Sequence, residues 1–244
     1  MADEQEWSIE FYLDEEGESP VRAFLATLDR KTLTRFDWSI EQLKTLNVHA
    51  HEPLVKHLDG KLWELRRAST GNIYRLLYFF FTGRKIVFVH GFQKKTQKTP
   101  QREIETARKR MDEYIKRKGG EELMTQKEQK NISPEEASYL NWRDELRADP
   151  EYQKVYEEEA AKSALWLQLV EARLAAGLTQ KQMAERIGVS QAQVARIEKE
   201  DYDAYTLTTL RKYVAALGEG FSLEVTIHTP EEHSEETFHI PMTT

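Results

Sequence analysis

Five cationic side chains are concentrated in the middle of the sequence, along three apolar runs and the segment that follows them. They are Arg66, Arg75, Lys94, Lys95 and Lys98. Residues 56–118 contain 17 Lys or Arg and 6 Asp or Glu, a net charge of +11, although the whole chain carries −7. Guanidinium groups bind phosphate oxygens in pairs and lysines act as point charges, so the pattern predicts a polyanion-binding site. The alternative is a solvated basic surface without a special role.

The runs that carry these cations have the composition of β-strands. They are KLWELRR at 61–67, IYRLLYFFF at 73–81 and KIVFVHGF at 85–92, with Gly71-Asn72 and Gly83-Arg84 between them. The glycine-containing turns predict antiparallel strands joined by hairpins. The other elements predicted in this region are a strand at 7–12, helices from Pro20 and at 32–46, and a helix at 101–117. Together they predict a compact α+β domain over residues 1–118, an antiparallel sheet with helices.

The segment after this domain is acidic. Residues 119–160 contain 5 Lys or Arg and 12 Asp or Glu, a net charge of −7. The part at 119–133 is polar and predicts a linker, whereas 134–160 predicts helices. Its candidate apolar anchors are Trp142, Leu146, Tyr152 and Tyr156, with Glu157, Glu158 and Glu159 around them. We expect this segment to mask the basic domain; the alternative is a helix that packs on the next domain.

Residues 161–228 predict an all-α domain with a closing strand from Phe221, and 229–244 predict a polar tail. Thr179 and Ser190 can cap two successive helices, and Gly188 lies where the turn between them needs a left-handed backbone. The stretch GLTQKQMAERIGVSQAQVARIEKE resembles the helix-turn-helix of the XRE family of transcription regulators.

This resemblance implies that the second helix enters the major groove of DNA, where its first turn meets base edges. The residues that it assigns to DNA are Gln180, Ser190, Gln191, Gln193 and Arg196. Glutamine can bond bidentately to adenine, which suits Gln191 and Gln193, whereas Ser190 and Gln180 are placed for phosphates. Arg196 is either a phosphate contact or a surface residue. Because the domain has no basic excess, we expect binding to rely on helix N-termini and on a homodimer.

The basic domain resembles the HigB group of the RelE toxin superfamily, in its phage-derived branch. The motifs that carry the resemblance are LWELR, YR and FQKKTQKTP. They imply a RelE-like endoribonuclease that cuts mRNA on the ribosome. The XRE-type domain that follows then resembles the HigA antitoxin, which inhibits the toxin and represses its own operator.

RNA can be cleaved by its own 2′-hydroxyl, which attacks the adjacent phosphate and leaves a cyclic phosphate and a 5′-hydroxyl. The reaction needs a base, cations around the phosphorane and a proton for the leaving oxygen, but no metal or cofactor. The five cations named above are the predicted catalytic residues, and a lysine among them is the candidate general base. Lys61, Arg67 and Phe92 are predicted RNA contacts. His90 lies in an apolar run, which favours a core or turn role.

The combined prediction is a toxin and its antitoxin in one self-inhibited chain, with ribosome-bound mRNA and operator DNA as partners. One alternative is a transcription regulator whose N-terminal domain senses a ligand or binds a partner and has no ribonuclease activity. Another is two genes concatenated at Met124. The sequence has no cysteine, no predicted membrane span and no predicted signal peptide, so we expect a cytoplasmic protein.

Overall fold

The structure is a computed structural model that describes residues 7–69, 71–95, 98–122, 132–227 and 236–239. The chain divides into two compact units, residues 1–163 and 164–244. The first unit contains the sheet and its helices, and the second contains the helix-turn-helix, so the predicted α+β and all-α architecture is confirmed. Within the described ranges, no helix is long and apolar enough to cross a membrane.

The first unit is built on a five-stranded sheet. Its strands are β1 (Ser8–Phe11), β2 (Val55–Asp59), β3 (Leu62–Ser69), β4 (Asn72–Phe81) and β5 (Lys85–Lys94). They lie in the order β1-β5-β4-β3-β2, and every neighbouring pair is antiparallel except β1 and β5, which are parallel. The sequence predicted four of these strands and missed β2. That strand, VKHLD, pairs only with β3 at the sheet edge and is largely exposed, so it lacks the apolar alternation that marks the others.

Helices cover both faces of this sheet. They are α1 (Pro20–Leu25), α2 (Arg30–Leu46), α3 (Gln101–Glu122), α4 (Pro134–Arg147) and α5 (Pro150–Ala175). On one face, Leu77 and Phe79 of β4 pack with Ala107 and Tyr114 of α3. On the other face, α2 packs on β3, and α4 packs on β1 through the ring contact of Trp142 with Phe11. We call these the α3 face and the α2 face.

The close packing of α1 depends on Gly91 of β5. A Cβ atom at this position would lie 2.1 Å from Cδ1 of Phe24 and 2.9 Å from Cδ2 of Leu76, well inside van der Waals contact. The glycine therefore lets the Phe24 ring lie directly on the sheet backbone.

The second unit is a helix-turn-helix with a small hairpin. It contains the end of α5, α6 (Gln180–Ile187), α7 (Gln191–Ile197), α8 (Leu207–Leu217), β6 (Glu224–Ile227) and β7 (Glu236–His239). Thr179 and Gln182 form a capping box at the start of α6, Gly188 ends that helix with φ at 78°, and Ser190 caps α7. These are the conformations that the sequence predicted. Met183, Val194 and Tyr213 are central to its core.

Some predicted boundaries are wrong. Helix α3 continues through Gly119 to Glu122, because a glycine weakens a helix without necessarily ending it. In the predicted polar tail, residues 236–239 form β7, which pairs antiparallel with β6. The strand predicted from Phe221 begins at Glu224. Most of the predicted linker, including Met124, lies outside the described residues.

We predict that Gly91→Ala destabilises the first unit by about 1–3 kcal/mol, because the new methyl group overpacks Phe24 and Leu76. Urea unfolding of the full chain measures this loss. Gly119→Ala is the matched control, since nothing lies within 4 Å of its new methyl group and alanine favours a helix. Equal stability of the two variants would contradict the close contact at Gly91.

Candidate functional site

Three of the predicted catalytic cations converge on the α3 face of the sheet. Arg66 of β3 and Arg75 of β4 are direct partners in the strand register, and Lys94 lies on the same face of β5. Between the two arginines lies Glu64, a buried carboxylate that the sequence reasoning did not assign to the site. Its Oε1 accepts from Nε of Arg66 at 2.9 Å and lies 2.8 Å from Nη1 of Arg75.

Arg75 is the most buried of these cations. Its side chain is 6% exposed, and its Nε is buried without a hydrogen bond in the described part of the chain. Burial lowers the pKa of its guanidinium, while the charge of Glu64 opposes this effect. A buried N–H group without an acceptor is costly, so this guanidinium depends on the nearby carboxylate of Glu64 for compensation.

Lys94 lies in a strongly cationic environment. Burial and the charges of Arg75, Arg66 and Lys56 lower the pKa of its ammonium group, whereas the charge of Glu64 raises it. A lysine with a lowered pKa gives up a proton more readily, which is what a general base requires. Lys95 and Lys98 follow on the exposed surface beyond β5, and Lys61 is exposed in the turn before β3, five residues before Arg66.

The structure corrects two of the predicted RNA contacts. Arg67 follows Arg66 in β3, so its side chain points to the opposite, α2 face. It is fully buried there, donates to Oγ of Ser39 and lies over the ring of Trp38. Phe92 is 7% exposed and belongs to the core between the sheet and α3. Neither side chain is accessible to RNA. Strand alternation places Arg67 on the α2 face, and the packing of α3 on the sheet encloses Phe92.

His90 is held on both sides by charged groups of α3. Its Nδ1 accepts from Nη1 of Arg110 at 2.9 Å, so its Nε2 carries the proton and donates to Glu103 at 2.6 Å. Burial lowers the pKa of this imidazole, and the charge of Arg110 adds to the effect while Glu103 opposes it. A neutral histidine with both nitrogens bonded fits the predicted core role. Its partners in α3 could not be identified from the sequence.

Within the first unit, the acidic segment packs on α2 through a buried ionic network. Asp37 of α2 is fully buried and accepts from Arg147 of α4 at 2.9 and 3.2 Å and from the hydroxyl of Tyr152 at 3.3 Å. Glu159 of α5, 1% exposed, accepts from Nε of Arg35 at 2.7 Å. Burial raises the pKa of Asp37, whereas the bonds from Arg147 lower it.

Apolar side chains complete this contact. The predicted anchor Trp142 lies against Phe11 of β1, as does Tyr139, which also donates to Glu41 of α2. Tyr152 is buried and stacks on Tyr156, while Leu146 is half-buried. The network lies on α2 and β1, on the α2 face of the sheet, whereas Glu64 and its cations lie on the α3 face.

The second unit presents the first turn of α7 to solvent. Gln191, Gln193 and Arg196 are exposed, and Ser190 accepts from the backbone N–H of Gln193 at 3.2 Å as the helix cap. Gln180 donates to Oε2 of Glu198 at 3.1 Å.

A buried carboxylate fixes the orientation of α7. Both oxygens of Glu198 accept from Arg173 of α5, at 2.7 and 2.8 Å, and Oε1 also accepts from Tyr213 of α8 at 2.7 Å. Helices α5 and α8 are thereby tied to the end of α7, which fixes the direction of its exposed face.

Comparison with known proteins matches each unit to a family. The family described as Phage derived protein Gp49-like (DUF891) matches residues 23–112, and the family described as Helix-turn-helix matches residues 169–223. A protein of Mycobacterium tuberculosis (strain ATCC 25618 / H37Rv) named "Putative antitoxin HigA3" is 41% identical over 87 residues. That alignment covers 32% of this chain and 79% of the relative.

We predict that His90 makes the first unit less stable as the pH falls below 6.5, the ordinary pKa of histidine. The pKa of His90 is lowered in the folded state, so the unfolded chain binds its proton first and stability is lost on acidification. Hydrogen exchange of β4 and β5 amides at pH 7.5 and 5.5 measures the loss. His90→Gln should reduce it, and the exposed control His49→Gln should not. An unchanged loss in His90→Gln would contradict the assignment.

Proposed function

The chain belongs to the antitoxin family of HigA3, and on that premise we propose that it is a toxin–antitoxin module in a single polypeptide. The observation that carries the proposal is the acidic segment, which joins a Gp49-like domain to a helix-turn-helix and packs on the Gp49-like domain through Asp37 and Glu159. Residues 1–118 would be the toxin, a ribosome-dependent mRNA endoribonuclease. The second would bind operator DNA and repress transcription of the module.

The cleavage step uses the cations around Glu64. The base removes the proton of the RNA 2′-hydroxyl, whose oxygen attacks the adjacent phosphorus. The bond from phosphorus to the 5′-oxygen breaks, and that oxygen takes up a proton to become a 5′-hydroxyl, while the other product is a 2′,3′-cyclic phosphate. Arg66 and Arg75 would stabilise the charge on the phosphorane, and Lys94 is the favoured base because burial and the neighbouring cations lower its pKa.

The exposed cations have a different role in this proposal. Lys95, Lys98 and Lys61 would contact RNA phosphates and hold the strand across the site, since they lie at the surface. Their contribution to binding should fall with added salt, as expected for contacts that release counterions.

Inhibition would follow from the position of the acidic segment on the α2 face. The segment adds two helices to one side of the toxin, which would prevent it from entering its site on the ribosome. Covalent attachment places this inhibitor at an effective concentration in the millimolar range, so the intact chain should be strongly self-inhibited. Removing one partner of a buried ion pair costs about 3–5 kcal/mol, so a single charge reversal should loosen the segment.

We predict that Glu159→Lys activates the full chain. The substitution places a cation against Arg35, whereas the same change at the adjacent and exposed Glu158 does not. The measurement is cleavage of mRNA on translating ribosomes by the three full-length proteins. The Glu159→Lys protein should cleave mRNA, and the wild type and the Glu158→Lys protein should remain inactive.

A second substitution links the activity to the cation cluster. Lys94→Ala in the Glu159→Lys chain should abolish cleavage, because it removes the candidate base. Limited proteolysis shows independently whether residues 132–163 have been released. A Glu159→Lys chain with Lys94 intact that releases the segment but does not cleave would refute the ribonuclease and leave a transcription regulator without that activity.

We also predict that the exposed face of α7 recognises bases. Gln191→Ala and Gln193→Ala should each lower the preference for the operator over random DNA by about 1–3 kcal/mol, the value of one bidentate base contact. Fluorescence anisotropy with DNA from upstream of the gene measures this preference. Arg196→Ala should weaken both DNAs equally, and Gln168→Ala, an exposed glutamine of α5, should change neither. Unaltered preference in both glutamine variants would exclude base recognition by α7.

A further inference from the structure

The cleavage mechanism above leaves Glu64 without a role, although it lies at the centre of the site. It is 3% exposed and occupies a middle position of β3, between cations of three strands. A carboxylate in a site that must bind phosphate is unexpected, since it repels the substrate. Its retention there requires a function that outweighs this repulsion.

The two oxygens of Glu64 connect three separate parts of the domain. Oε1 accepts from Arg66 at 2.9 Å and lies 2.8 Å from Nη1 of Arg75. Oε2 accepts from Oγ1 of Thr99, just before α3, at 3.2 Å. Both oxygens are therefore engaged by the protein, which leaves Glu64 poorly placed to take a proton from RNA.

Arg66 and Arg75 cannot hold this arrangement by themselves. They are direct cross-strand partners, and like charges in that position repel each other. Arginine side chains also have several rotatable bonds, and fixing them costs conformational entropy. A carboxylate that contacts both guanidinium groups offsets the repulsion and orients their remaining N–H groups before the substrate arrives.

We propose that Glu64 is a positioning residue that holds Arg66 and Arg75 in the geometry that the phosphorane requires. This role rests on the proposed ribonuclease function. It acts through the two arginines and not on the RNA itself, so it should affect the transition state more than substrate binding. Loss of the carboxylate should even favour binding of the ground-state phosphate, because a negative charge leaves the site.

Glu64 also faces Lys94, together with Arg66, Arg75 and Lys56. Its charge raises the pKa of Lys94, whereas burial and the charges of the three cations lower it. Replacing Glu64 with a neutral residue should therefore lower the pKa of Lys94 further. If Lys94 is the base, the pH at which cleavage reaches half its maximum should move to lower values in Glu64→Gln.

The first test measures the arginine side chains of the full-length chain by NMR. In the wild type, Arg66 and Arg75 should give slowly exchanging guanidinium signals. Glu64→Gln should broaden or lose these signals, and Glu52→Gln should preserve them. Glu52 is the matched control because it also pairs with Arg66, at 3.5 Å, but is 61% exposed. Unchanged arginine signals in a folded Glu64→Gln chain would overturn the proposal, whether or not the protein cleaves RNA.

The second test measures cleavage in the full-length Glu159→Lys chain. Adding Glu64→Gln should lower kcat by about 100-fold, the size of effect expected from misplaced catalytic groups, with KM unchanged or lower. The pH midpoint should fall, and Glu52→Gln should alter neither value. A loss confined to KM would overturn the positioning role, whereas an unshifted pH profile would overturn the assignment of Lys94 as the base that Glu64 influences. If Glu159→Lys alone does not cleave, the ribonuclease fails, and the NMR test still decides whether Glu64 orders the arginines.

Discussion

A carboxylate removed from water must be met by cations or hydrogen-bond donors, and three buried carboxylates of the described residues meet that requirement where helices contact each other. Asp37 accepts hydrogen bonds from Arg147 and Tyr152, and Glu159 accepts one from Arg35. Glu198 accepts hydrogen bonds from Arg173 and Tyr213. An isolated buried charge is so unfavourable that each carboxylate specifies where its partner helix must lie. Apolar contacts such as Trp142 with Phe11 then supply the packing around it.

The same requirement bears on how an acidic chain can carry a cluster of cations. The positive charge of residues 56–118 is concentrated in strands and α3, whereas much of the compensating negative charge lies in the segment that packs on α2. Glu64 is the exception, because it places one negative charge inside the cationic cluster itself. The net charge of the chain is therefore a poor predictor of its binding partners, and the distribution of charge over the faces of the sheet is a better one.

The sequence predicted the elements whose signals are local. The hairpin turns predicted the order of β3, β4 and β5. The capping residues Thr179 and Ser190, with Gly188 between them, predicted the helix-turn-helix. Strand alternation also predicts that Arg66 and Arg67 lie on opposite faces of the sheet. It does not predict which of the two side chains the helices bury. Phe92 was misassigned for the same reason. Glu64 and His90 were not recognised as parts of networks because several of their partners, Arg75 and Thr99 for Glu64 and Glu103 and Arg110 for His90, come from outside their own strands.

The two faces of the sheet give the proposed module a separation of roles. The cations proposed to act on RNA lie on the α3 face, and the segment proposed to inhibit them contacts the α2 face, so inhibition would not require the segment to mimic RNA or to occupy the cationic site. Neighbouring residues of β3 lie on opposite faces of the sheet. Arg66 belongs to the cationic cluster, whereas Arg67 packs against Ser39 and Trp38 of α2, the helix that the acidic segment contacts. The pleat of β3 thus allows the strength of inhibition and the rate of chemistry to be altered by separate substitutions, provided that α2 keeps its place on the sheet.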